Sequence, residues 1–155
     1  MQIRKLTHIG ICVSDLDRST AFYVEALGCE EVGRLVASGA TTDHILALEG
    51  TELEAVYLER DGYRLELLHY RQPGHEGPAT PRPMNQLGLT HISLRVEEIG
   101  AVCSRIESFG GKVLRARSPE EHVPAGLRMA TDPDGMLIEL IEKPGDPNEI
   151  PNAGR

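Results

Sequence analysis

Tryptophan is missing from the 155 residues, and aromatic residues of all kinds make up only 4% of them. Any interior must therefore be aliphatic, and with 40% of residues hydrophobic the chain has enough material to fill one or two small modules. Positive charge is also short. Sixteen Lys and Arg stand against 24 Asp and Glu, for a formal charge of -8. That balance argues against nucleic acid or an anionic membrane surface as the main partner. Cysteine is sparse and odd in number: Cys12, Cys29 and Cys103 have no paired spacing, which speaks against a disulfide framework and for a reducing cytoplasm. No apolar run is long enough to span a bilayer, and the opening "MQIRKLTHIG" lacks the apolar core of a signal peptide. The expectation is a soluble, cytoplasmic protein.

What the chain does have is repetition. "LTHIGICV" at residues 6–13 returns as "LTHISLRV" at 89–96, with His8 and His91 in register. Each is followed by an acidic start and a helical pattern. The first, "SDLDRSTAFYVEALG", has Ser14 or Asp15 as N-cap and stops at Gly28. The second, "EEIGAVCSRIESFGG", puts Ile99, Val102, Cys103, Ile106 and Phe109 on one face and stops at Gly110 and Gly111. Further on, "DGYRLELL" at 61–68 matches "DGMLIELI" at 134–141, which aligns Glu66 with Glu139. Each half thus reads strand, helix, strands, and closes on a strand carrying one glutamate. The first module spans 1–70 and the second 89–142, with a Pro/Gly-rich linker at 71–88 and a polar, extended or frayed tail at 143–155. The first half adds a short helix over Thr42 to Leu48. The second adds a polar loop at 117–128, a candidate lid.

Strand alternation decides which side chains meet. His8, Gly10 and Cys12 share one face, opposite Ile9, Ile11 and Val13. His91, Ser93 and Arg95 share another, opposite Ile92, Leu94 and Val96. The aliphatic stripes should pack on the helices and leave the histidines on the far side. Asp61-Gly62 is a hairpin turn signal. If Arg60 pairs with Tyr63, then Glu66 faces Tyr57 and Leu68 faces Ala55, while His69 falls on the opposite face from Glu66. A single strand histidine is more often an ordinary core or surface residue than a ligand. Two imidazoles and two carboxylates at equivalent positions of a duplicated module are another matter. Burying all four unpartnered would cost several kcal/mol, and a metal bound by His8, Glu66, His91 and Glu139 would supply the partner.

These stretches, with "ATDPDGMLIELIE" at 130–142, resemble the vicinal oxygen chelate superfamily. It includes glyoxalase I, methylmalonyl-CoA epimerase, extradiol dioxygenases, and the fosfomycin and bleomycin resistance proteins. The resemblance implies an α+β fold: two βαβββ modules forming curved mixed sheets around a metal-containing cavity. It also implies that the metal ligands come from the first and last strands of each module, where this chain has His8, Glu66, His91 and Glu139. The ion would be one divalent metal, with Zn, Ni, Co, Mn and Fe all compatible. Glyoxalase I carries Glu at the position of Glu66, and epimerases often carry Gln. The glutathione-binding Arg and Asn of bacterial glyoxalase I correspond here to Cys12 and Tyr70. Arg95 is a candidate anchor for a substrate carboxylate or phosphate, set against an ordinary sheet-edge arginine.

The function expected from these residues is an enolate- or enediolate-stabilising isomerase or lyase of the glyoxalase or epimerase type. Glu139 or Glu66 would be the base, Tyr57 and Tyr70 would line the substrate site, and Glu49 would be a weaker alternative base. Two alternatives stand beside it: a small extradiol-type dioxygenase using His8, His91 and Glu139, and a non-catalytic protein that binds a drug or metabolite. The expected partners are a small-molecule substrate and a second copy of the chain, in a homodimer that the 71–88 linker would allow to exchange modules.

Overall fold

A computed structural model of the chain describes residues 2–114 and 125–149. It divides into two compact units, Met1–Thr80 and Pro81–Arg155. Each is an α+β unit with one four-stranded mixed sheet.

In the first unit β1 (Ile9–Cys12) leads through α1 (Leu16–Ala21) to β2 (Glu30–Ser38), α2 (Ala40–Leu46), β3 (Glu52–Arg60) and β4 (Tyr63–Gln72). The strand order is β1-β4-β3-β2, with β1 parallel to β4 and the other pairs antiparallel. The β3–β4 hairpin turns on Asp61 and Gly62 with φ of 52° and 80°, the double positive φ that a two-residue hairpin turn needs. Its register is the expected one: Arg60 opposite Tyr63, Tyr57 opposite Glu66, and Ala55 opposite Leu68. Ile11, Val13, Val56, Leu58 and Leu67 are buried together with Phe22 and Tyr23, and α1 packs on β3 and β4. The aliphatic stripe therefore faces the helix, which leaves the His8–Gly10–Cys12 edge and Glu66 on the other side of the sheet.

Two helices differ from their expected form. Asp15 is the N-cap of α1, its carboxylate accepting from the Arg18 amide at 2.9 Å. After Ala21, however, the helix widens into a π-helical turn over Phe22–Ala26. One extra residue in the turn accompanies the burial of the adjacent Phe22 and Tyr23, whose rings meet edge-on at 5.4 Å. Helix α2 lies over Ala40–Leu46, two residues ahead of the Thr42–Leu48 expected. It ends early because Ala47 adopts a left-handed cap and Asp43 takes the amides of Gly50 and Thr51 at 3.1 and 2.7 Å, turning the chain towards β3.

In the second unit β5 (His91–Val96) leads through α3 (Ile99–Ser108) to β6 (Lys112–Leu114), β7 (Leu127–Thr131) and β8 (Leu137–Glu142). The order is β5-β8-β7-β6, again with the first and last strands parallel. Ile106, Ala130, Ile138 and Leu140 are fully buried, and α3 packs on β6, β7 and β8. The helix ends at Phe109, just before the expected glycine stop. Its N-terminus is capped from a distance: the Ile99 amide donates to the Glu142 carboxylate at 2.7 Å. Glu142 also donates its own amide to the Gly126 carbonyl at 2.7 Å. Gly126 has φ of +82°, and a Cβ there would lie 2.5 Å from the Glu142 carbonyl oxygen. Gly126→Ala is accordingly expected to cost about 2–3 kcal/mol, from left-handed strain plus a backbone clash. Urea denaturation would measure it, with Gly145→Ala, where a Cβ meets nothing within 4 Å, as the comparison for left-handed strain alone.

Arg95 donates to the carbonyls of Lys143 and Asp146 at 3.0 and 3.3 Å, and Asp146 closes a turn by accepting from the Asn148 amide at 2.8 Å. The division between units, at Thr80 and Pro81, falls between the end of β4 and the start of β5. Residues 117–124 of the candidate lid lie outside the described residues. Among the described residues no helix is long and apolar enough to cross a membrane.

Candidate metal centre

In the first unit, β1 and β4 run parallel with Gly10 beside Glu66, so His8, two residues earlier, lies on the same face. The pairing brings His8 Nε2 to 3.0 Å from Glu66 Oε2. The histidine side chain is 36% exposed and the glutamate 10%. In the second unit, parallel pairing of β5 and β8 sets Ser93 beside Glu139, and His91 Nε2 stands 3.7 Å from Glu139 Oε2. Each half of the repeat has thus built the same imidazole–carboxylate pair.

The other ring nitrogens match as well. His8 Nδ1 lies 3.2 Å from the Thr7 hydroxyl, and His91 Nδ1 lies 2.9 Å from that of Thr90. When Nδ1 donates its proton to the threonine, Nε2 presents a lone pair to the carboxylate oxygen. Two acceptors at such distances repel unless a cation lies between them, and a metal ligated through Nε2 with Nδ1 hydrogen-bonded is a common arrangement. The sequence reading overlooked both threonines, although the signal was present in the Thr-His dipeptide at each repeat.

Tyr57 stands across from Glu66, with its ring edge-on to His8 at 5.6 Å. The Glu66 carboxylate, hydrogen-bonded to it, holds the Tyr57 hydroxyl above its ordinary pKa, and burial adds to the rise. At neutral pH the phenol therefore keeps its proton beside Glu66. Tyr70 shares that strand face, and burial first, then Cys12 and Glu66, push its hydroxyl up too. Glu139 has a different partner: the Ser93 hydroxyl donates to its Oε2 at 2.7 Å.

The remaining candidates lie elsewhere or are otherwise engaged. The guanidinium of Arg95 is committed to the carbonyls of Lys143 and Asp146. Glu49 sits in the exposed turn between α2 and β3. His69 points away from Glu66, its Nδ1 against the Val13 carbonyl at 3.3 Å. Among the described residues no group of three or more His, Cys, Asp or Glu side chains gathers to hold a metal, so each pair offers two donors.

Over residues 5–140 the chain matches the model of the Glyoxalase/Bleomycin resistance protein/Dioxygenase superfamily. A relative named probable lactoylglutathione lyase, from Synechocystis, is 34% identical over 88% of this chain and 94% of its own length. Among solved structures, a glyoxalase family protein of Bacillus cereus superposes with a TM-score of 0.75 at 21% identity, covering 94% of this chain and 97% of that one. A fosfomycin resistance protein of Listeria monocytogenes, solved as a mutant complexed with Mn(II), superposes with a TM-score of 0.58 at 18% identity, covering 92% and 95%. At these identities the two structures speak for the fold.

Proposed function

The chain belongs to the Glyoxalase/Bleomycin resistance protein/Dioxygenase superfamily, and we propose that it is a metal-dependent lyase or isomerase of the glyoxalase type. The reading is carried by the repeated imidazole–carboxylate pair, which two equivalent parallel strand pairings build. The relatives named lactoylglutathione lyase support it.

The residues fit a divalent metal. His8 and His91 offer Nε2 atoms whose rings are oriented by threonine, and Glu66 and Glu139 offer carboxylate oxygens. His8 with Glu66 in the first unit, and His91 with Glu139 in the second, are the donors that would hold it. The Mn(II) complex of the fosfomycin resistance protein is a precedent within the fold. When bound, the ion supplies Lewis acidity that offsets the negative charge developing on a carbonyl-type oxygen of the substrate.

The chain's own side chains do the rest. Glu139 takes the proton from the substrate carbon beside that oxygen and can return it to the neighbouring carbon. Its 27% exposed side chain has more room to move than that of Glu66. Tyr57 keeps Glu66 in place by donating to it and presents its ring edge beside His8. Cys12, Leu68 and Tyr70, on the same strand face as Glu66, supply a wall without a formal charge and would select substrates there by shape.

Elemental analysis of the purified protein tests the metal, and a panel of 2-oxoaldehyde hemithioacetals, acyl-CoA thioesters and catechols tests the chemistry. Chelator-sensitive turnover of a hemithioacetal or thioester is expected. Ring opening of a catechol with oxygen uptake would replace this reading with a dioxygenase, and tight binding without turnover would replace it with sequestration.

We also propose that the chain works as a homodimer. Among the described residues the outer strand β2 has no partner on its far edge within its sheet, and it leaves Val32 and Val36 46% and 75% exposed. Light scattering is expected to give twice the 17.0 kDa of one chain. A 17.0 kDa species alone would rule the dimer out.

A further inference from the structure

The two carboxylates are held from opposite sides. Beside Glu66 stand Gly10 on β1 and Tyr57 on β3. Beside Glu139 stand Ser93 on β5 and Met129 on β7. Each glutamate has one hydroxyl neighbour, but in the first unit it is on the antiparallel side and in the second on the parallel side.

The side matters because the histidine comes from the parallel strand. Ser93 lies two residues after His91 on the same strand and face, so its hydroxyl competes for the carboxylate with a metal held by His91. The serine is closer. Its Oγ donates to Glu139 Oε2 at 2.7 Å, and the same oxygen is 3.7 Å from His91 Nε2. In the first unit the serine position is Gly10, which has no side chain to offer, and Glu66 Oε2 comes to 3.0 Å from His8 Nε2. Tyr57 reaches Glu66 from the far strand instead.

Resting on the metal-dependent reading above, we propose that Ser93 is a positioning residue. Its hydroxyl is a dock that draws Glu139 away from a metal on His91 and holds it as a base, while Glu66, with Gly10 beside it, has no such competitor for a metal on His8. The two glutamates of the repeat thereby take different tasks. A hydrogen bond to a charged group is worth about tenfold or more in an equilibrium, enough to divide a carboxylate between two positions. Ser93 is exposed, so removing its hydroxyl leaves no buried group unpaired and puts the fold at no risk.

The test uses Co(II) alone, titrated into metal-free full-length protein. With the dock gone, Glu139 is left to the metal, so Ser93→Ala is expected to bind Co(II) about tenfold more tightly than the wild type. Ser93→Thr keeps a hydroxyl and should restore the weaker affinity. In a Glu139→Ala background, Ser93→Ala should change nothing, because the serine acts only through that carboxylate. A serine that merely supported its strand would give the reverse sign or none. Unchanged or weaker Co(II) binding in Ser93→Ala overturns the dock, as does tightening that persists without Glu139. A wild type that takes up no Co(II) would instead remove the metal reading itself, so the two failures are distinguishable.

Discussion

Glutamine at position 139 is expected to leave the protein folded and able to bind metal, yet slow turnover by about 10²–10⁴-fold, the usual contribution of a positioned proton-transfer group. The amide is nearly the shape of the carboxylate, and its oxygen can still accept from the Ser93 hydroxyl, which meets Glu139 at 2.7 Å. What it cannot do is take up a proton. Solvent deuterium exchange at the substrate carbon reads that step directly, using whichever hemithioacetal or thioester the wild type turns over. A Glu139→Gln enzyme that exchanges at the wild-type rate would remove Glu139 as the base. Oxygen consumed in step with turnover would reject enolisation altogether. The same change at Glu66 is expected to be milder, because an amide oxygen there still accepts from Tyr57 and the residue's task is to hold rather than to move a proton.

Loss of the His91 imidazole is expected to be more drastic still for the metal. His91→Ala removes one of only two nitrogen donors, the one whose Nδ1 lies 2.9 Å from the Thr90 hydroxyl. Without it Glu139 is the one donor left of its pair, and metal content after dialysis should fall from about one ion per chain to near none. His69→Ala provides the control. Its imidazole lies on the opposite strand face, against the Val13 carbonyl, so its removal should leave metal content unchanged. Equal metal in His91→Ala and wild type would sink the proposed ligand set.

Much of this arrangement is legible in the chain because it depends on short-range rules applied twice. The repeated "LTHI" and the repeated glutamate strand locate His8, His91, Glu66 and Glu139 on equivalent strands. Asp61-Gly62 sets a register that places Tyr57 opposite Glu66 without further help. Other features depend on contacts between distant residues and leave little trace in local sequence. The π-helical turn at Phe22–Ala26 follows the packing of two adjacent aromatic rings. The early end of α2 follows the reach of the Asp43 carboxylate to Gly50 and Thr51. Arg95 has the position expected of a substrate anchor, but carbonyls that lie some fifty residues later occupy its guanidinium. Ser93 was visible only as a face-mate of His91. That it takes a carboxylate oxygen depends on the parallel register with β8, which alternation along one strand cannot supply.

Heredity enters through the same two hydroxyls. A protein assembled from two identical halves must place the same neighbours beside both of its carboxylates, because one coding sequence specifies both. Once the halves are joined in a single gene, each can drift alone. Gly10 against Ser93, and Tyr57 against Met129, are corresponding positions at which the two halves differ. A chain that carries both halves can therefore give its two corresponding glutamates different neighbours, which two copies of one half could not.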